Sequence, residues 1–260
     1  MTTAETTPTW TCDDCGTVVE GADMDAFVAA VTDHARNDHQ WPFPDVAIRN
    51  FAYASQRADG PKERLAEIGA VEVHRVEGSR VDDWLAFFDR DAFPDNFAWA
   101  SCYCSEPHCL DPSAEDGPGR TWEENRSTMV ELFNDGRCHG YLAYVDGKPA
   151  GWVNASLRSE YALYRRGDGA DPADTDVAGI SCFVIAPPYR GHKLAGRLLD
   201  RVLEDAPARG IRFVEAYPFT AEVRERAMAD FRGHLAMYET RGFAEVERRE
   251  RDLVVRRPIP

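Results

Sequence analysis

The chain has 260 residues and a formal net charge of -15. Such an acidic surface repels nucleic-acid phosphates and anionic lipid, which excludes a general nucleic-acid or membrane-surface binder and leaves room for cationic, amine-bearing partners, solubility or salt adaptation. A hydrophobic fraction of 43% is ample for a core, no apolar run is long enough to span a bilayer, and MTTAETTPTW does not read as a signal peptide, so a cytoplasmic monomer or homodimer is expected.

Residues 1–9 read as a polar tail, and Cys12-Asp-Asp-Cys15-Gly16 as a tight turn. After Val18-Val19 and Gly21, Asp23 is placed to cap a helix carrying Phe27, Val28 and Val31 on one side. His34 and His39 close that helix before Trp41-Pro42. Two cysteines separated by two residues, then eighteen residues, then two histidines separated by four suit a tetrahedral zinc on Cys12, Cys15, His34 and His39. Four protein ligands leave no open position, so the metal would be structural. Residues five apart on a helix point about 140° from each other, so the last turn must loosen at His39. The competing reading is two incidental thiols and two solvated histidines. Seven cysteines in a chain this large suggest reduced thiols or ligands rather than a disulfide framework.

Residues 45–70 read as a helical linker, broken at Asp59-Gly60-Pro61 and resuming as a short helix over Lys62–Ile68. Val71–Val76 alternates as a strand and Val81–Phe88 as a helix. A Pro/Gly/Asp-rich segment from Phe93 to Gly119 holds Cys102, Cys104, His108 and Cys109. These admit a second metal site, small buried thiols with a surface histidine, or a reactive thiol. Trp122–Phe133 is a helix with Glu123 and Glu124 in its first turn; His139–Val145 and Pro149–Leu157 form a hairpin around Asp146-Gly147. Arg158–Thr175 is a polar loop.

From Ala178 the chain reads strand, loop, helix, strand. Ile180–Ile185 is apolar and β-branched, Pro187-Pro188 ends it, and Leu194, Leu198, Leu199, Val202 and Leu203 recur at helical spacing. Gly210 ends the helix and Ile211–Ala216 is the next strand. Amides opening such a helix lack intrahelical partners and carry the positive end of its dipole, so the turn around Arg190, Gly191, His192 and Lys193 suits a phosphate. Glu245–Arg249 and Asp252–Arg256 close the chain as a hairpin.

Arg190-Gly191-His192-Lys193-Leu194-Ala195, preceded by Val184-Ile185-Ala186-Pro187, resembles the acetyl-CoA motif of the GCN5-related N-acetyltransferases (GNAT), with Lys193 where that family has its central glycine. Tyr238-Glu239-Thr240-Arg241-Gly242-Phe243 resembles the family's Tyr-x-x-x-Gly-Phe signature. The resemblance implies an α/β (α+β) fold with a mixed, mostly antiparallel sheet flanked by helices over residues 71–260; the ligand spacing, not the resemblance, adds a small zinc-finger-like module at 1–44. It implies acetyl-CoA as cosubstrate and direct transfer to a small-molecule amine. Phe183, Val184 and Ile185 would pair with pantetheine, Arg190 through Gly196 (with Leu194 and Ala195) would hold the pyrophosphate, and Tyr238 would be the general acid. Glu215 is the candidate base, on the expected alternation Phe213/Glu215/Tyr217; a salt bridge to an arginine is the competing reading, and His234, Glu160 or a water chain are other bases. An alternative function is a catalytically silent CoA-binding sensor carrying a zinc module.

Overall fold

The computed structural model describes residues 7–109, 119–164, 176–220 and 231–260. Residues 1–6 of the polar tail and parts of the 93–119 and 158–175 segments therefore lie outside the described residues.

A two-stranded antiparallel ribbon, β1 (Thr9–Thr11) and β2 (Val18–Glu20), opens the chain. Helix α1 (Met24–Asn37) starts at Asp23, whose carboxylate accepts from the Ala26 amide at 2.8 Å. Helix α2 (Asp45–Arg57) follows. Ile48 and Ala52 of α2 share one buried cluster with Val19, Phe27, Val31 and Ala35. The helix anticipated as a linker is thus half of the module's own core. Residues 62–68 do not form the expected second helix. Their backbone is drawn into tertiary bonds instead: the Leu65 amide donates to Pro188 O at 2.9 Å, and Leu65 O accepts from His192 Nε2 at 2.9 Å.

Then come β3 (Val71–Arg75), α3 (Arg80–Ala86), which runs on into a π-turn at Phe87–Asp91, and the single turn α4 (Glu106–Cys109). Helix α5 (Trp122–Asn134) carries a capping box in which Thr121 and Glu124 satisfy each other's amides. Strands β4 (Gly140–Val145) and β5 (Lys148–Asn154) are joined at Asp146-Gly147, both at positive φ (49° and 79°), as a two-residue hairpin turn requires. The run after them is cut at Ser181 into β6 (Val177–Ile180) and β7 (Cys182–Ile185). Helix α6 (Leu194–Asp205), β8 (Phe213–Ala216), α7 (Leu235–Glu239), β9 (Ala244–Arg248) and β10 (Leu253–Pro258) complete the described elements.

Two four-stranded sheets result, β3-β4-β5-β7 and β6-β8-β10-β9. All pairings are antiparallel except β6 with β8. β4 is buried along its whole length because both of its faces are covered. Leu142 packs with Trp84, Phe88, Met129 and Trp152 under α3 and α5, whereas Tyr141 and Ala143 pack with Leu198, Leu199 and Val202 of α6. Among the described residues no helix is long and apolar enough to cross a membrane.

Candidate active site

β6 and β7 are consecutive but belong to different sheets: β6 lies parallel to β8 and β7 antiparallel to β5, so the sheets part at Ser181. The Ala186 amide donates to Ala150 O at 3.0 Å. By strand alternation, Val184 directs its backbone polar groups at Trp152 of β5, while Phe183 and Ile185 turn theirs away from β5 toward the cleft. Of the three residues anticipated for pantetheine, alternation thus spends Val184 on the sheet. Ile185 O already accepts from Arg190 Nε at 3.0 Å.

At one end of β7 the chain turns into α6. Gly191 has φ 81° and Lys193, the N-cap, φ 62° and ψ 22°. Lys193 therefore holds the left-handed conformation that glycine adopts freely and that costs an L-residue about 1–2 kcal/mol. What suits the turn to an anion is its backbone more than the side chains anticipated for it. Arg190 points back to Ile185 O and pairs with Asp95 at 2.5 Å; His192 donates to Leu65 O. Gly196 is buried, and a Cβ there would come within 2.8 Å of the Arg241 guanidinium, which pairs with Asp200 at 2.5 Å; it is a packing glycine between α6 and the turn that follows α7. Leu194 is buried and Ala195 half-buried against the core. Arg64, from the segment strapped over the turn, lies across Gly191, where a Cβ would meet its Nη2 at 2.7 Å. Arg64, Lys193 and Arg197 make no ion pair among the described residues, so three cations stand uncompensated around the opening of α6 in an acidic protein.

At the other end of β7, Ser181 and Cys182 line a cavity. Phe93, Trp99, Phe219 and Phe231 wall it; Phe231 leans on Phe93 and Trp99 with ring centroids 5.9 and 5.5 Å apart. Glu106 and Arg232 are its charged lining residues. The Cys102–Cys104 segment forms another side, held by two consecutive non-glycine residues at positive φ, Tyr103 (49°) and Cys104 (51°). Burial pushes the Cys102 thiol up to about 12, so it is protonated and a poor nucleophile at neutral pH. His108 turns away from the cysteines: its Nδ1 donates to Glu160 O at 3.2 Å and its Nε2 accepts from Asn154 Nδ2 at 3.1 Å. Burial lowers it to about 4. The cysteine-rich segment is therefore a pocket wall rather than a second metal centre.

Tyr238 is fully buried, its ring 5.3 Å from Phe243 and its hydroxyl donating at 2.7 Å to the carbonyl of Arg232, a pocket-lining residue. Glu215 is 1% exposed. It accepts from Arg158 Nη1 at 3.0 and 3.2 Å, from Arg256 Nε at 2.7 Å and Nη2, and from Tyr217 Oη at 3.1 Å. The expected alternation does bring Glu215 and Tyr217 to one side, but two guanidiniums fill that side. Glu215 is a buried ion-pair hub, and the general-base expectation is corrected on that ground. Glu160 is paired with Arg137 at 2.7 Å. Sequence reasoning missed Glu106, the acidic residue that does line the pocket; its signal was only its place in the cysteine-rich segment.

Away from this cleft, Cys12, Cys15, His34 and His39 bring their ligand atoms within 4.8 Å of one another, the one such convergent set among the described residues. Cys12 Sγ to His39 Nε2 is 3.3 Å, Cys15 Sγ to His34 Nε2 3.6 Å, and Nε2 to Nε2 3.2 Å. A tetrahedron built from zinc–sulfur and zinc–nitrogen bonds has edges of about 3.3 Å (N–N) and 3.6 Å (S–N), so the donor set fits. His34 Nδ1 donates to Asp38 Oδ2 at 2.6 Å, which fixes the tautomer that leaves Nε2 facing the cluster. α1 ends at Asn37, so His39 lies past the helix, as its spacing required.

The model of the acetyltransferase (GNAT) family matches residues 84–243, more than half of the chain. The chain belongs to the GNAT acetyltransferase family. No curated protein matches it. Among solved structures it is similar to an N-acetyltransferase from Staphylococcus aureus Mu50 (13% identity over 74% of this chain and 100% of that one, TM-score 0.44). It is also similar to the GNAT-family acetyltransferase from Streptococcus pneumoniae (18%, 74% and 100%, TM-score 0.41) and the ribosomal-protein-S18-alanine N-acetyltransferase from Escherichia coli (15%, 73% and 94%, TM-score 0.40). The assignment rests on the family match, not on these likenesses.

Proposed function

We propose that the protein is an acetyl-CoA-dependent N-acetyltransferase that acts on a small-molecule amine by direct transfer. The observation that carries this reading is the parting of the sheets at Ser181, which leaves β7 running from the opening of α6 to the aromatic pocket. Its four residues span about 13 Å and join a turn suited to phosphate with a cavity suited to an acceptor. The amides and unpaired cations around residues 191–197 would hold the pyrophosphate, with Phe183 and Ile185 presenting backbone groups to the pantetheine arm. Thioester and amine would then meet beside Ser181 and Cys182.

Tyr238 is the proton donor in this reading: a small shift of Arg232 would free its hydroxyl for the leaving thiolate, saving the cost of expelling an unprotonated sulfur. The amine loses one proton to a carboxylate or water and forms its bond to the acetyl carbon as the carbon–sulfur bond breaks. Its second proton restores the tyrosine. Cys12, Cys15, His34 and His39 would hold one zinc, which supplies no chemistry beyond cross-linking the ribbon to α1. Calorimetric titration with acetyl-CoA tests the reading: saturable binding that Lys193→Glu weakens at least about tenfold supports it, because a reversed charge repels the phosphates. Absence of binding in the wild type overturns it.

A further inference from the structure

The cavity beside Ser181 is selective in its chemistry. Four aromatic rings, Phe93, Trp99, Phe219 and Phe231, dominate its walls. Among the described residues Glu106 is its one acidic lining residue, exposed at the rim, with no ion pair or hydrogen bond of its side chain to another of them. The Ser181 hydroxyl is buried without a well-formed hydrogen bond among the described residues, its neighbour Tyr161 Oη being engaged with Asn154 Oδ1 and Gly179 O, so a polar atom of an occupant can satisfy it. An acceptor with several ammonium groups, or with a belt of hydroxyls, would need several carboxylates or hydrogen-bonding walls. This pocket would strip water from those groups without replacing it.

We infer that the acceptor is a primary amine carried on a flat, apolar skeleton, an arylalkylamine, with Glu106 as the partner of its ammonium and the ring held among Trp99, Phe219 and Phe231. The inference rests on the acetyltransferase reading for its reaction but on the pocket alone for its specificity. An aromatic enclosure also favours the cation directly, because the ring faces carry negative potential. Glu106 takes one proton from the ammonium and releases it to solvent. The freed nitrogen bonds to the acetyl carbon as the carbon–sulfur bond breaks, Tyr238 protonates the thiolate, and the second amine proton returns to the tyrosine.

The test compares phenethylamine, ethylamine, spermidine and glucosamine in two readouts on the full-length protein. One is calorimetric binding in the presence of saturating CoA, the other thiol release from acetyl-CoA. Phenethylamine is expected to bind and to exceed each of the others in kcat/KM by roughly 100-fold, the value of burying one aromatic group. Glu106→Gln should weaken phenethylamine binding and raise its KM roughly tenfold or more, with acetyl-CoA affinity unchanged. Trp99→Phe, which keeps an aromatic wall, should retain most of the affinity, whereas Phe231→Ala should not. Equal or better use of spermidine or glucosamine, or an unaltered KM in Glu106→Gln, overturns the inference while leaving the acetyltransferase reading intact. Failure of acetyl-CoA itself to bind overturns that reading, and amine binding still reports on the pocket.

Discussion

Glu215 shows how a residue's neighbours decide between two readings that its own position leaves open. Buried between Arg158 and Arg256 and bonded to Tyr217, it joins β8 to β10 and to the turn at Arg158. Glu215→Gln keeps the shape but removes the charge that compensates two guanidiniums. It should therefore cost about 3 kcal/mol of stability, readable as a lower denaturation midpoint. The acidic limb of the pH–rate profile should stay where it is; loss of that limb at normal stability would restore Glu215 as the base. His108 is the other residue whose surroundings set its behaviour. Its value is lowered by burial from 6.5 to about 4, so the native state stays neutral where the unfolded chain takes up a proton. Stability is full above about pH 6.5 and is lost as the pH falls from there toward 4. His108→Gln should flatten that part of a melting-temperature-versus-pH curve, and an unchanged slope would show that His108 is not its source. The sequence showed a carboxylate in an apolar strand and a histidine among cysteines. It could not show which partners, 41 and 57 residues from Glu215 in one case and 46 residues from His108 in the other, would meet them.

Among the elements, those with strong local patterns were legible. α6, both strands of the hairpin at Asp146-Gly147 and the capped helix α5 follow from apolar spacing, turn residues and caps that act within a few positions. The segment 62–68 was misread as helix because its local composition allows one, and only the tertiary bonds to Pro188 and His192 decide otherwise. The spacing of Cys12, Cys15, His34 and His39 was legible because ligand geometry is written in sequence separation; the participation of α2 in the same core was not. Ring contacts run from His34 to Trp10, to Phe51 and on to Phe97, with centroids 5.9, 5.0 and 5.9 Å apart, and Phe97 begins the turn that carries Trp99 to the pocket. The purified protein is therefore expected to carry about one zinc per chain by elemental analysis, and chelating it to lower the melting temperature. Cys15→Ser should lower both zinc content and melting temperature; unchanged zinc content in that variant would place the metal elsewhere. Arg64→Ala, in the strap over the α6 turn, should weaken acetyl-CoA binding by severalfold in low salt and less in high salt, as expected for an exposed charge. An unaltered affinity at both ionic strengths would show that the strap is packing alone.

For the molecule as a whole, the two four-stranded sheets part along β7, with a phosphate-suited turn at one end of that strand and an aromatic cavity at the other. The central claim is that acetyl transfer takes place in the cleft between them with Tyr238 as the proton donor. Its most direct measurement is the steady-state rate of thiol release from acetyl-CoA with whichever of phenethylamine, ethylamine, spermidine and glucosamine is used best, for the wild type and for Tyr238→Phe, with acetyl-CoA affinity measured on both. The ring and its packing against Phe243 survive the substitution and only the hydroxyl is lost. Amine-dependent thiol release by the wild type is expected, with a fall in kcat of about 10²–10⁴-fold in the variant and nearly equal acetyl-CoA affinity in the two. Full activity in Tyr238→Phe, or no amine-dependent thiol release from a wild type that binds acetyl-CoA, would contradict it.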